Sequence, residues 1–196
     1  TGDEIISIEG ILSGTLAYLF NVFDGTRPFS AIVREAREKG YTEPDPRDDL
    51  SGMDFARKLI ILGREIGLRL EMKDLQVETL VPPGMGALGV DEFLDGLAAH
   101  DAAMLERLEV ARRAGRVLRY VGRLTHKGEA TVRLEALPAD HPFAHMNLTD
   151  NIVRYETRRY SANPLVVQGP GAGPAVTAAG VFADILRLAS YLGPGR

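Results

Sequence analysis

An α+β fold, a mixed or antiparallel sheet covered by helices, is what the sequence predicts, and three observations lead there. Helix-period apolar repeats bounded by cap residues fill most of the stretch from Thr15 to Ala114, while apolar–polar alternation takes over from Val117. Helices first and strands later argue for segregated layers rather than a βαβ series. The 196 residues fit one ordinary domain, with no internal repeat and no low-complexity tract.

Taken in order, Glu4 to Leu12 reads as a strand because Ile5, Ile6, Ile8 and Ile11 supply β-branched side chains. The Ser13-Gly14 turn caps a helix from Thr15 to Phe23, ended by Asp24-Gly25; on spacing alone Thr15 is no more than an N-cap. Ser30 caps a helix through Lys39, closed by Gly40. Pro44 and Pro46 stiffen an extended acidic arm from Glu43 to Asp49 and keep helix out of it. Ser51 is the expected cap of a long helix, with Asp54 in its first turn, Phe55, Leu59, Leu62 and Ile66 on its buried face, and Gly63 and Gly67 at its end.

Gln76 to Leu80 is a short strand, Pro82 to Gly89 a loop, and Asp91 to Leu97 and Ala102 to Ala114 are helices. Val117 to Leu124 and Ala130 to Leu137 form a hairpin with one dry face, followed by strands from Asn151 to Arg158 and Leu165 to Gln168. A closing helix starts near Pro174 and turns Val176, Ala179, Ala183, Leu186 and Leu192 to one side. Such a stripe is costly to leave in water, so this helix is expected against the chain's own sheet or a partner copy.

Composition narrows the function. A net charge of −4 without a basic tract argues against nucleic acid, and the absence of cysteine removes disulfides and thiolate metal sites and suits a cytosolic protein. No apolar run of membrane-spanning length stands out, so no membrane partner is expected, and without an initiator Met the chain reads as an excised piece of a longer protein. His141 and His145 are spaced four apart with Pro142 between them and no HExxH glutamate, which reads as a loop with ordinary histidines; no metal site is expected. Asn147-Leu-Thr149 matches a glycosylation triplet that carries no weight in the cytosol.

Chemistry concentrates between Gly40 and Lys58. Glu43, Asp45, Asp48, Asp49 and Asp54 crowd together with Arg47, Arg57 and Lys58 as the cations. Asp54 and Lys58 lie one helical turn apart, most simply a solvated pair worth about 0.3–0.5 kcal/mol. The alternative is a site for a small zwitterion, carboxylates holding its ammonium while the lysine passes a proton to a reacting oxygen. Calcium ranks last, since no D-x-[DN]-x-[DN]-G loop is present.

The run Ala36-x-x-x-Gly40-Tyr-Thr-Glu-Pro-Asp-Pro-x-x-Asp49-Leu-x-Gly52-x-Asp54-x-x-x-Lys58 resembles the signature of homoserine dehydrogenases. Leu12-Ser-Gly-Thr-Leu16 resembles their N/S-G-T/S turn, with Ser13 where many members have Asn, and Gly169 to Asp184 resembles their C-terminal segment. Leu50 to Leu59 and Gly115 to Gly122 look most like the fused aspartokinase–homoserine dehydrogenases, so the parent protein has room for a kinase domain.

The resemblance implies NAD(P)-dependent interconversion of L-homoserine and L-aspartate 4-semialdehyde, in threonine and methionine synthesis. It makes Lys58 the proton donor, Asp54 and Glu43 substrate ligands, and Asp48 and Asp49 parts of a negative wall, with Tyr41, Gly14 and Thr15 completing the pocket. Gly171 and Gly173 would touch a cofactor held mainly by a nucleotide-binding Rossmann domain absent from this chain. Residues 1–168 would then be the catalytic and dimerisation domain of a homodimer, and 169–196 the segment returning to the nucleotide domain. A piece of this kind by itself is expected to be inactive, and a scaffolding unit without chemistry is the rival role.

Overall fold

The computed structural model describes residues 2–193 and confirms the α+β class. Six strands, β1 (Ile5–Ile11), β2 (Leu75–Val77), β3 (Arg116–Thr125), β4 (Ala130–Pro138), β5 (Asn151–Thr157) and β6 (Leu165–Gly169), form one sheet in the order β2-β4-β3-β1-β5-β6. The β2–β4 pair is parallel and the other four pairs among the described residues are antiparallel, so the sheet is mixed. Among the described residues seven α-helices accompany it: α1 (Gly14–Val22), α2 (Phe29–Glu38), α3 (Pro46–Leu50), α4 (Met53–Glu65), α5 (Val90–Gly96), α6 (Asp101–Arg113) and α7 (Pro174–Leu192).

The main core lies between the sheet and α1 to α6. Phe55 and Leu59 of α4 reach Gly122 at the centre of β3, and Tyr18, Leu19, Ile32 and Val33 fill the space between α1 and α2. Leu62 and Ile66 are only half-buried, so the expected face of α4 fades toward its C-terminus.

The hairpin of β3 and β4 is antiparallel as expected, yet β3 is buried on both faces from Leu118 to Gly122. Its second face meets Phe143, Met146, Ile11 and Ile152 in a smaller core. There Arg119, a polar position in the alternation of the hairpin, is buried and donates to the carbonyls of Phe20, Leu118, Phe143 and Ala144 at 2.8–3.1 Å. A charged residue is tolerated inside because four of its five N–H donors find carbonyl acceptors in this cage. Further along that face Glu9, Arg123, Glu135 and Arg154 form an ion network.

Several caps differ from expectation. Ser13 does cap α1, accepting the Leu16 N–H at 3.2 Å. Ser30 sits inside α2; its N–H and hydroxyl donate to Asp101, at the start of α6, at 2.7 and 2.6 Å. A carboxylate distant in sequence thus satisfies the helix start, which no local pattern could announce. Pro46 does not keep helix out of the acidic arm: it takes the first position of α3, where its missing N–H has no partner to lose, and Asp45 caps the turn. Gly52, with φ 72°, rather than Ser51 precedes α4. Gly63 lies within α4 where Leu70 packs on it, while Gly67, with φ 92°, follows the helix end.

The closing helix departs most. Every described side chain of α7 is exposed, so of the two expected coverings the chain's own sheet is not the one, which leaves a partner copy. Phe182, Ile185 and Leu188 are each more than half exposed. By length and composition α7 also suffices to cross a membrane, which corrects the expectation that no apolar run is long enough. Among 19 helical residues only Asp184 and Arg187 are charged, and alanines dilute a hydrophobic run that periodic scanning would otherwise register.

Candidate active site

A cleft of roughly 500 Å³ opens where α1, the acidic arm, α4 and the segment after β6 converge. It brings together Gly14, Thr15, Tyr41, Glu43, Asp49, Asp54, Lys58, Gly171 and Gly173, residues drawn from four separate stretches of chain. Of the expected site residues only Asp48 lies elsewhere, in an adjoining groove with Ser51, Met53 and Arg57. Successive helical residues point about 100° apart, so within α3 Asp48 and Asp49 cannot share one direction.

Lys58 and Asp54 project from α4 and pair at 2.9 Å, and Lys58 also donates to the Leu12 carbonyl at 3.1 Å. An ammonium has three N–H donors. Two are used here, and the third remains for a molecule in the cleft.

The arm is held from several sides. Arg47 pairs with Asp45 at 2.6 Å and donates to the carbonyls of Met85, Gly86 and Leu88, pinning the Pro82–Gly89 loop to α3 over the ring of Phe93. Behind Tyr41, whose ring meets Tyr18 edge-on, Glu35 gathers Lys39, Arg27 and the Tyr18 hydroxyl. Those partners hold the Glu35 carboxyl down to about 2, Lys39 first among them.

At the floor Thr15 Oγ1 stands 2.6 Å from the Tyr41 carbonyl oxygen and 2.7 Å from Asp49 Oδ1, while Asp49 Oδ2 accepts the Glu43 N–H at 2.8 Å. Asp49 is half-buried. Loss of water pushes its carboxyl above the ordinary range, with Glu43 and Asp48 adding to the shift. The burial of Thr15 follows from its place on the first turn of α1, two residues past the cap Ser13 rather than at the cap itself.

Thr149 and Asn151 line the cleft as well and were not singled out. Thr149 belongs to the triplet set aside as glycosylation chemistry, and its carbonyl approaches so near that a Cβ at Gly14 would stand 3.1 Å from it. Gly171 lies flat on the Asn151 amide, with no room for a side chain between them. Residues 170–173 thus form a thin backbone lip that a planar ring can approach. They bring no cation for a diphosphate. The fit to a dinucleotide is therefore partial, at one end of the molecule.

An amine set among carboxylates beneath a glycine-rich lip has the groups to attract an ammonium and to exchange a proton with an oxygen. The chain belongs to the homoserine dehydrogenase family, whose model matches residues 1–186. It is 55% identical over 195 residues to a bifunctional aspartokinase/homoserine dehydrogenase 2, chloroplastic, of Zea mays, covering 98% of this chain and 21% of that protein. A crystal structure of a Candida auris protein of unknown function is 43% identical with a TM-score of 0.91, covering 96% of this chain and 55% of the other. That of a putative homoserine dehydrogenase from Archaeoglobus fulgidus is 28% identical with a TM-score of 0.73, covering 96% and 52%. The chain thus spans about a fifth of the maize relative and about half of each solved chain.

Proposed function

We propose that this chain is the substrate-binding and catalytic part of an NAD(P)-dependent enzyme that interconverts L-homoserine and L-aspartate 4-semialdehyde. The observation that carries the reading is the convergence of Lys58, Asp54 and Glu43 on one cleft with the Gly171–Gly173 lip. Lys58 protonates the alkoxide formed at the former aldehyde oxygen and removes that proton in the reverse direction. Asp54 orients the lysine through their 2.9 Å contact, and with Glu43 it faces the substrate ammonium. The nicotinamide supplies or accepts the hydride when bound, and Gly171 and Gly173 would touch it; residues 169–196 lead toward the nucleotide-binding domain of the longer protein. That protein carries a fused aspartokinase in the reading closest to the maize relative, and we place it in the cytosol, although the maize protein's own name is chloroplastic.

The test is NAD(P)H oxidation by the full-length protein with the semialdehyde. Glu43 is exposed at the mouth of the cleft and sits behind Pro44, so Glu43→Gln keeps the arm's shape and removes one charge. KM for the amino-acid substrate is expected to rise more than kcat falls. An unchanged KM with lowered thermal stability would make Glu43 structural.

A second reading is favoured by the bare apolar faces of α7 and β6, where Leu165, Val166 and Val167 are exposed. In that reading the isolated chain is an assembly unit, a homodimer with no chemistry of its own. Covering a few hundred Å² at about 25 cal/mol per Å² contributes several kcal/mol. Analytical ultracentrifugation of residues 1–196 is expected to show a dimer, and calorimetry no NAD(P)H binding. A monodisperse monomer, or micromolar cofactor affinity, would contradict this.

A further inference from the structure

Thr15 has one hydroxyl proton and two oxygens pressing on it. A carbonyl oxygen such as that of Tyr41, at 2.6 Å, can only accept, so if Asp49 were ionised the hydroxyl could serve one neighbour and not the other. The unserved contact would bring two lone pairs to within 2.7 Å in a half-buried place. A proton on Asp49 Oδ1 removes the conflict: Oδ1–H donates to Thr15 Oγ1, and Thr15 donates its own hydrogen to the Tyr41 carbonyl. Oδ2 is then the carbonyl oxygen of the acid, and it accepts the Glu43 N–H at 2.8 Å.

We propose that Asp49 is a positioning residue held as a neutral carboxylic acid, its proton completing a clamp between the Ser13–Thr15 turn and the Tyr41–Glu43 arm. The surroundings agree. From the arm and α3 come the carboxylates of Glu43 and Asp48, from α4 Asp54 and Lys58 line the same cleft already paired with each other, and the turn before α1 brings no charge. Burial and the like charges of Glu43 and Asp48 push the carboxyl in the same direction. Asp49 then adds nothing to the negative wall, which is left to Glu43 and Asp54. This last consequence rests on the dehydrogenase reading; the proton does not.

The experiment is a pH titration of 13Cγ-labelled aspartate in the full-length protein without substrate, with the Asp49 signal assigned by its loss in Asp49→Asn. The signal is expected to titrate above the ordinary aspartate value of about 3.9. Thr15→Val removes the acceptor of the acid's proton and is expected to lower the midpoint, and Thr15→Ser to restore it. A wild-type midpoint at or below the ordinary value would overturn the proposal. So would a midpoint that rises in Thr15→Val, since the hydroxyl would then be donating to a carboxylate.

Stability gives a second measurement should Thr15→Val not fold. A carboxyl raised in the folded state contributes stability that is lost as pH rises through its folded value. The stability difference between wild type and Asp49→Asn is therefore expected to shrink over that window, and a difference that grows with pH would count against the neutral acid. Neither measurement involves turnover. Failure here leaves the dehydrogenase reading standing, and an inactive protein leaves the proton standing.

Discussion

Lys58→Ala in the full-length protein is expected to lower kcat about 10²–10⁴-fold, the range for loss of a general acid, with cofactor affinity nearly unchanged. The size of the effect separates two readings of one pair of side chains. As a solvated i, i+4 ion pair, Asp54 and Lys58 would contribute only a few tenths of a kcal/mol to stability and nothing to turnover. As machinery, Lys58 places one N–H on Asp54, one on the Leu12 carbonyl, and keeps the third for substrate. Steady-state kinetics with semialdehyde, beside calorimetric titration of NAD(P)H, decides between them. Near-normal turnover would leave the lysine a surface cation. Asp54→Asn should fall between the two, since the amide keeps a contact to the ammonium but removes the charge that orients it.

Much of this site was legible because its parts lie close together in sequence. Five carboxylates and two prolines within one short stretch are rare enough to read directly, and the helical spacing of Asp54 and Lys58 fixes their common side. The strands were legible for a similar reason, since β-branched alternation marks β1, β3 and β4 wherever they pair. What escaped depends on residues far apart. Asp101 capping α2, Thr149 reaching Gly14, Arg119 caged by carbonyls from three segments and Arg47 gathering a loop nearly forty positions away have no local signature. Tertiary contacts override local rules there, and with them came the misplaced caps at Ser30 and Ser51 and the misjudged helix at Pro46. Asp49 is the instructive case. Its charge counts toward the acidic wall in the sequence, whereas the fold turns both its oxygens inward onto Thr15 and Glu43.

Gly52→Ala is expected to destabilise the protein by about 2–5 kcal/mol, a large part of the 5–15 kcal/mol typical of a folded domain. Gly52 holds φ 72° at the start of α4, in the left-handed region where a side chain costs roughly 1–2 kcal/mol. Space is lacking as well. A Cβ there would overlap the Tyr120 hydroxyl and stand 3.1 Å from Val77 Cγ1. Tyr120 has little freedom to withdraw, since it is buried against Phe55 and donates to the Glu78 carbonyl at 2.5 Å, so overpacking adds about 1–3 kcal/mol. Urea denaturation measures the sum, and a change within about 0.5 kcal/mol of wild type would contradict it. The two contributions can be separated. In a Tyr120→Phe background the overlap with the hydroxyl is gone and the backbone strain remains, so the same substitution should cost about 1–2 kcal/mol less. Because this residue sets where α4 begins, relief of the clash by a shift of the helix would carry Asp54 and Lys58 with it. Gly52→Ala protein that does fold is therefore expected to lose turnover out of proportion to its remaining stability, while the Tyr120→Phe single variant keeps both side chains in the cleft and retains activity.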